Sequence, residues 1–233
     1  MTIAEDDSIV TPGELLATGS YESGSGVSQE GENYFANIVG VFSVKDDKLR
    51  VRPLKGRYYP KVGDKIIGTV EDVNLTSWVV DIRGPYKGYL LASNAIKGRF
   101  DPIKDDARRI YDVGDVIKAE VISFDRTRDP MLSTKFPRLG KVEGGRIIEV
   151  SPNHIPRIIG RKGSMVKMIK TATKSKITVA QNGRIWIESP TKEAQDLTIE
   201  TIRMITRQAH TSGLTDRVAE FLKLDISNEE END

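Results

Sequence analysis

The first part of the chain alternates apolar and polar residues at the two-residue spacing of β-strands. Within residues 1–60, the segments NIVGVFSV and KLRVRPL follow this alternation, and KDDK between them has the composition of a turn. Turn-rich segments separate the other short strands, and no helical spacing of useful length occurs. Residues 1–60 are therefore predicted to form a small, slightly acidic, all-β domain.

A second strand pattern occupies residues 61–137. VGDKIIGTV at 62–70 is echoed by VGDVIKAEV at 113–121, and the runs SWVVDI and KGYLLAS lie between the two echoes. A turn and a last short strand follow the second echo. Five strands, with a long polar connection between the third and the fourth, predict a small Greek-key barrel of the OB kind.

From residue 138 the spacing of apolar residues changes again. A strand pattern in GGRIIEVS precedes a helical turn in IPRIIG and a short helical pattern in SMVKMIKTAT. Two further strands are joined at residues 181–183, Gln-Asn-Gly, and Asn-Gly is the strongest short signal for a hairpin. These segments predict a mixed α/β domain.

The chain then enters a long segment, TKEAQDLTIETIRMITRQA, whose apolar residues share roughly one helical face. Thr191 at its start is a suitable N-cap. Residues 138–225 are thus predicted to have the order β-α-α-β-β-α. The acidic end, residues 226–233, is predicted to be a disordered tail.

Composition narrows the class of protein without indicating a partner. The 233 residues carry 35 basic and 34 acidic side chains, so net charge alone says nothing about nucleic acid. Cysteine is absent, which excludes disulfides and thiolate metal sites, and no apolar run is long enough to span a membrane. The acidic start, MTIAEDDSIV, is unlike a secretory signal. These observations predict a cytoplasmic protein with no metal site and no cofactor.

The tetrapeptide Gly160-Arg161-Lys162-Gly163 lies between two short predicted helices, after a strand and before a hairpin and a helix. This is the arrangement of a KH domain, whose GxxG loop clamps about four backbone nucleotides of single-stranded RNA or DNA. Glycines let the backbone approach a phosphate, and a helix that starts at Ser164 favours an anion at its first amides.

The surroundings of this loop are basic. No acidic residue occurs between Glu149 and Glu188, and the interval holds eight basic residues that the sequence leaves unopposed. They are Arg157, Arg161, Lys162, Lys167, Lys170, Lys174, Lys176 and Arg184. A localised basic face inside a neutral protein indicates nucleic-acid binding, and the alternative is a solvated surface that balances acidic groups elsewhere. The predicted RNA site of the KH domain comprises the four loop residues with Arg157 and Lys167.

The predicted barrel resembles the OB domain of the ribosomal S-one type in its GxVxxV, WVVDI, KGYLLAS and LSTK segments. The resemblance implies a base-contacting face with a Phe on the second strand and a His near the end of the third. Val79 and Leu91 stand at these two positions, so the chain departs from the family at both. Trp78 is expected to face the core, whereas a one-residue shift in register would turn it toward the RNA.

With the stacking aromatics missing, the predicted RNA contacts of the barrel are loop residues. They are Arg83, Tyr86, Lys87, Lys97, Arg99, Arg126 and Arg128. The alternative for each is an ordinary exposed side chain.

The order of the three predicted domains is similar to that of the KH-bearing cap subunits of the archaeal exosome, the family of ribosomal-RNA-processing protein four. The segments IVTPGELLATG, SGSGV and RVRPLKGRYYPKVGDKIIGTV carry this resemblance at the start of the chain, and it extends over nearly the whole sequence. The other archaeal cap subunit has a zinc ribbon, which a chain without cysteine cannot form.

The resemblance implies a noncatalytic RNA-binding protein. Three caps are expected on a hexameric ring of phosphorolytic RNase subunits, with the N-terminal domain docked on the ring. They would capture single-stranded, A-rich RNA and direct its 3′ end into the pore for 3′-to-5′ degradation and processing. The alternatives are a structural clamp of the ring with little RNA binding and a free-standing translation or transcription factor.

An enzyme is not predicted. No Ser, His and Asp arrangement typical of a catalytic site is visible in the sequence. The paired carboxylates Asp46-Asp47 and Asp105-Asp106 lie in predicted loops, where turn formation and solubility account for them.

Overall fold

The structure is a computed structural model that describes residues 2–53, 56–98, 100–125, 127–209, 211 and 213–230. The chain divides into two compact units, residues 1–56 and residues 57–233. Each unit has its own hydrophobic core.

The first unit contains only strands among its described residues. They are β1 (Ile9–Val10), β2 (Leu15–Thr18), β3 (Glu22–Ser23), β4 (Val27–Glu30), β5 (Asn33–Ala36), β6 (Gly40–Lys45) and β7 (Lys48–Pro53). They form two sheets, in the orders β1-β6-β7-β3 and β2-β5-β4. Asp46 and Asp47 connect β6 to β7 with φ of 51° and 55°, the left-handed conformation of a tight hairpin. The predicted all-β domain and its KDDK turn are confirmed.

The second unit begins with a barrel. Its strands and short helix are β8 (Lys65–Val73), β9 (Ser77–Asp81), β10 (Lys87–Leu91), α1 (Ala92–Ala95), β11 (Val116–Ser123) and β12 (Met131–Ser133). Neighbours pair in the order β12-β10-β9-β8-β11, and pairing of β12 with β11 closes the barrel. The five predicted strands are confirmed, as is the long connection before the fourth, which holds α1 and a 3-10 turn at Ala107–Arg109.

Trp78 lies in the barrel core. Its side chain is fully buried, and its indole Nε1 donates a hydrogen bond of 2.8 Å to the carbonyl of Tyr111. The expectation that Trp78 faces the core is confirmed. Tyr58 also packs in this core, and its hydroxyl donates to Asp64 Oδ2 at 2.8 Å. Residues 57–60, which the sequence analysis assigned to the first domain, therefore belong to the second unit.

The remainder of the second unit is a helix-on-sheet domain. Its elements are β13 (Gly140–Lys141), β14 (Arg146–Glu149), α2 (Ile155–Ile159), α3 (Ser164–Thr173), β15 (Lys176–Val179), β16 (Arg184–Glu188), α4 (Lys192–Arg207) and α5 (Leu214–Glu230). The sheet order is β14-β16-β15, while β13 pairs with β11 of the barrel. The predicted order β-α-α-β-β-α is confirmed for β14 to α4.

Helix α5 was not predicted. Leu214, Val218 and Leu222 are buried against α3 and α4, at the spacing that places apolar residues on one helical face. The helix includes residues 226–230, which the sequence analysis assigned to a disordered tail. Residues 231–233 lie outside the described part of the chain.

The barrel and the helix-on-sheet domain share a junction built around the predicted Gln-Asn-Gly hairpin. Asn182 is fully buried, and its Nδ2 donates to the carbonyls of Ile67 at 2.7 Å and Ile82 at 3.0 Å. Next to it, Trp186 packs with Ile67 and carries the ammonium of Lys118 over its ring, 3.8 Å from the centroid. The hairpin thus ties the two domains together.

Candidate nucleic-acid interface

The GRKG loop adopts backbone conformations that explain both of its glycines. Gly160 has a φ of 73°, and a Cβ placed there would lie 2.7 Å from the amide nitrogen of Met165. Gly163 has a φ of 79°, and a Cβ there would meet nothing within 4 Å. Lys162 between them is also left-handed, with a φ of 51°. The first glycine is thus required by close packing on α3 and the second by backbone conformation.

The loop leads directly into the N-terminus of α3. Gly163 occupies the N-cap position, no side chain caps the helix, and its first turn has no acidic residue. The first amides therefore keep hydrogen-bonding capacity for an external acceptor, and the helix dipole favours an anion there. Arg161 and Lys162 are exposed beside this end of the helix.

The apolar residues around the loop form its support. Ile158 and Ile169 are fully buried, and Ile159 and Val166 are half-buried against the same core. The loop therefore connects two helices, α2 and α3, that are both anchored in the domain core by buried isoleucines.

The basic face is smaller than the sequence suggested. Arg184 forms ion pairs with Asp81 and with Glu149, the latter at 3.2 Å, and Lys176 pairs with Glu188 at 3.1 Å. The prediction that all eight charges are unopposed was wrong for these two. Glu149 and Glu188, the acidic residues at the two ends of the acid-free interval, contact them in the folded chain. The other six are exposed and form no ion pair within the described residues: Arg157, Arg161, Lys162, Lys167, Lys170 and Lys174.

Arg83 takes part in the junction between the barrel and the helix-on-sheet domain. Its Nε lies 3.1 Å from Glu149 Oε2, and its Nη1 donates to the carbonyl of Val150 at 2.6 Å. The charge of this predicted RNA contact is therefore compensated inside the protein.

Lys87 is compensated as well. Its Nζ lies 2.7 Å from Glu71 Oε1 and 4.0 Å from Asp81 Oδ1. The hydrogen bond to Glu71 raises the pKa of Lys87 above its ordinary value. An RNA phosphate at this position would have to compete with two carboxylates.

Tyr86 belongs to a cluster of three rings with Tyr59 and Phe124. Its ring centroid lies 5.6 Å from that of Tyr59 and 4.9 Å from that of Phe124, both in edge-to-face geometry. Lys97 and Arg128 are exposed, and their RNA contacts stay a prediction. The predicted contacts Arg99 and Arg126 lie outside the described residues.

Tyr89 is an aromatic residue that the sequence analysis missed on the outer face of the barrel. It pairs across the strands with Val79, where the S-one-type family has a stacking Phe, and its side chain is 38% exposed. Its hydroxyl accepts a hydrogen bond of 2.9 Å from Ser77. Strand alternation could have predicted the outward orientation of Tyr89. Leu90 points into the core, so its neighbours along the strand must point outward.

The described residues contain no group of three or more His, Asp or Glu that could hold a metal ion. Within that same part of the chain, none of the helices combines the length and the apolar character needed to cross a bilayer.

Three family models match successive parts of the chain. Residues 7–55 match the exosome RNA binding protein RRP4 N-terminal domain, residues 57–123 match the RRP4 S1 domain, and residues 145–193 match a KH domain. The match to the S1 domain begins where the second unit begins.

Individual relatives agree with these models. The chain is 42% identical over 216 residues to exosome complex component Rrp4 of Thermococcus kodakarensis. The aligned residues cover 92% of this chain and 84% of that protein. It is 43% identical to exosome complex component Rrp4 of Saccharolobus solfataricus, covering 95% and 90% of the two chains. A crystal structure described as an exosome complex RNA-binding protein is similar with a TM-score of 0.68 at 40% identity, over 73% of this chain and 97% of that one.

Proposed function

Because this chain belongs to the Rrp4 family of exosome components, we propose that it is a noncatalytic, RNA-binding cap of an exosome. It captures single-stranded, A-rich RNA above a ring of phosphorolytic RNase subunits and directs the 3′ end into the pore of the ring. Degradation and processing from 3′ to 5′ then take place on the ring subunits.

The observation that carries this proposal is the GRKG loop. It combines uncapped amides at the start of α3 with the exposed side chains of Arg161 and Lys162, which have no ion-pair partner in the described part of the chain. Four further exposed basic residues with the same property lie on α2, on α3 and directly after α3. A phosphate held there would accept hydrogen bonds from the backbone and be attracted by Arg161 and Lys162. Local positive charge also raises the rate at which RNA is captured.

The barrel has a secondary role in RNA binding in this proposal. Arg83 and Lys87 are compensated by carboxylates, so electrostatic attraction is weaker there than at the GRKG loop. Tyr89 and Tyr86 offer rings for base stacking, and Arg99, Arg126 and Arg128 are the proposed phosphate contacts of the loops.

The N-terminal unit is the proposed docking domain, since it matches the RRP4 N-terminal model. Three caps on one hexameric ring would place three barrels around one pore, with the three KH domains and their GRKG loops further out. Several copies raise the effective concentration of binding sites for one RNA without any new contact.

The first test measures the fluorescence anisotropy of a labelled oligo-A RNA titrated with the full chain at three salt concentrations. The double variant Arg161→Asp, Lys162→Asp is expected to bind more weakly. Its log–log salt slope should shrink by about 0.7 for each lost phosphate contact, because fewer counterions are released.

The matched control is Lys192→Asp, Arg203→Asp, which makes the same charge change at two exposed positions of α4. Its salt slope is expected to stay at the wild-type value. If the loop variant and the wild type bind RNA equally, the loop is only a turn, and the RNA runs over the barrel loops instead. Weak RNA binding by the wild-type chain itself, with normal assembly on the ring, would favour the structural clamp.

A further inference from the structure

A groove of about 620 Å³ lies on the side of the GRKG loop that faces the start of α5. One wall consists of Arg157, Arg161 and Ser164, all exposed. Met165 and Leu214 line the same groove, and both are buried as parts of the domain core. The groove is therefore a polar cleft with an apolar base.

The opposite wall comes from Thr211, in the turn before α5, and from Thr215 and Asp216 in the first turn of α5. Helix α5 lies beyond residues 145–193, which match the KH model, so this wall is an addition to the matched domain. The groove is thus a feature that the KH match alone does not account for.

Hydrogen bonds fix the turn that precedes α5. Arg217 Nε donates to Gln208 Oε1 at 2.9 Å, and Nη2 of the same guanidinium donates to the hydroxyl of Thr211. That hydroxyl in turn donates to the carbonyl of Gln208 at 2.9 Å. The second wall is therefore preorganised, which lowers the entropic cost of binding a ligand between the walls.

The groove carries charges of both signs. Arg157 and Arg161 stand on one side and Asp216 on the other, and none of the three forms an ion pair among the described residues. A simple anion would suit the two arginines but would be repelled by the carboxylate. The arrangement fits a ligand that has an anionic end and a hydrogen-bond-donating end.

A nucleotide of single-stranded RNA has both ends. Its phosphate is an anion that guanidinium groups bind in bidentate fashion. The amino groups of adenine, cytosine and guanine donate hydrogen bonds that a carboxylate accepts. Uracil has no amino group, and its one donor on the pairing edge, N3–H, is flanked by the carbonyl oxygens O2 and O4, which a carboxylate at Asp216 would repel.

We propose that this groove holds one nucleotide of the RNA that runs over the GRKG loop, with its phosphate at Arg157 and Arg161 and its base at Asp216. The groove then selects bases that carry an amino group and disfavours uracil. This inference rests on the proposed RNA-binding function and adds a base-selective site to it.

The test compares the affinities of labelled oligo-A and oligo-U RNA for the full chain and for Asp216→Asn. The wild type is expected to prefer oligo-A. The asparagine amide offers both a donor and an acceptor, so the ratio of the two affinities should fall by about two- to tenfold, the range of one hydrogen bond. Glu220→Gln is the matched control, since it makes the same charge change one turn further along α5, outside the groove.

Three results separate this inference from the proposed function. A lower oligo-A preference in Asp216→Asn but not in Glu220→Gln supports the groove. An unchanged preference in Asp216→Asn, while Arg161→Asp, Lys162→Asp loses affinity, overturns the groove and leaves the loop as the RNA site. An absence of RNA binding by the wild-type chain overturns both.

Discussion

At the scale of single residues, Tyr89 is the proposed site of base stacking on the outer face of the barrel. Its ring is partly exposed opposite Val79, and Ser77 holds its hydroxyl. Tyr89→Ala is expected to weaken binding of oligo-A RNA by about 5- to 150-fold, because stacking on an aromatic ring contributes about 1–3 kcal/mol per base. Anisotropy titration measures this loss.

Tyr89→Phe is the control for this prediction. It keeps the ring and removes only the hydroxyl, so its affinity should stay close to that of the wild type. Wild-type affinity in Tyr89→Ala would instead show that bases do not contact this face.

The burial of Trp78 followed from the register of the family resemblance together with strand alternation, which places Trp78 on the same face as Val80 and Ile82. The partners of Arg184 could not be predicted in this way. Asp81 lies 103 residues earlier in the chain, and no local pattern connects the two residues. Local periodicity therefore predicts which face a residue occupies, whereas long-range ion pairs depend on how domains pack.

At the scale of elements, the hairpin between β15 and β16 is more than a connection. Asn182→Ala would remove the donor that Asn182 supplies to the buried carbonyl of Ile82. It would also remove the shorter of two side-chain hydrogen bonds to the carbonyl of Ile67, which would keep only Arg184 Nη1 at 3.4 Å. An unsatisfied buried polar group costs about 1–3 kcal/mol, so the free energy of unfolding should fall by at least that amount. Urea denaturation of the full chain measures the change.

Asn74→Ala, an exposed loop substitution in the barrel, serves as its control and should change stability by less than about 0.5 kcal/mol. Equal stability of the two variants would mean that the Asn182 contacts do not hold the junction.

The elements themselves were largely predictable. The barrel strands and the β-α-α-β-β-α order follow from spacing and turn residues within short windows of sequence. Helix α5 was not predicted although Leu214, Val218 and Leu222 have helical spacing, because its buried face is narrow and is completed only by packing against α3 and α4. The groove beside the GRKG loop could not be predicted, since it depends on where α5 packs.

At the scale of the whole molecule, the barrel and the KH domain form one unit with a charged junction. Burial alone would raise the pKa of Asp81, but the amide of Arg83 and the guanidinium of Arg184 outweigh this and hold it below the ordinary value. A lowered pKa in the folded state means that the ion pair stabilises the protein above the unfolded pKa of about 3.9 and loses this effect as pH falls through the folded pKa.

The wild type should therefore have a higher Tm than Asp81→Asn at pH 6, and the difference should shrink toward zero as pH falls below about 4. Thermal unfolding from pH 6 to pH 2 measures it. Other carboxylates titrate in both proteins, so only the difference between the two reports on Asp81. A difference that stays constant with pH would contradict the stabilising role of this pair.

The buried Asn182 contacts also have a consequence for the length of RNA that the chain can recognise. Hydrogen bonds buried at the junction favour a constant distance between the GRKG loop and the outer face of the barrel. An RNA that contacts both, as proposed, would then need a minimum number of nucleotides. A shorter single-stranded segment would contact either the KH domain or the barrel, and a longer segment would contact both. The affinity of the protein for RNA would then increase abruptly at one length of single-stranded RNA rather than gradually. The protein would in this way distinguish long single-stranded 3′ ends from short ones.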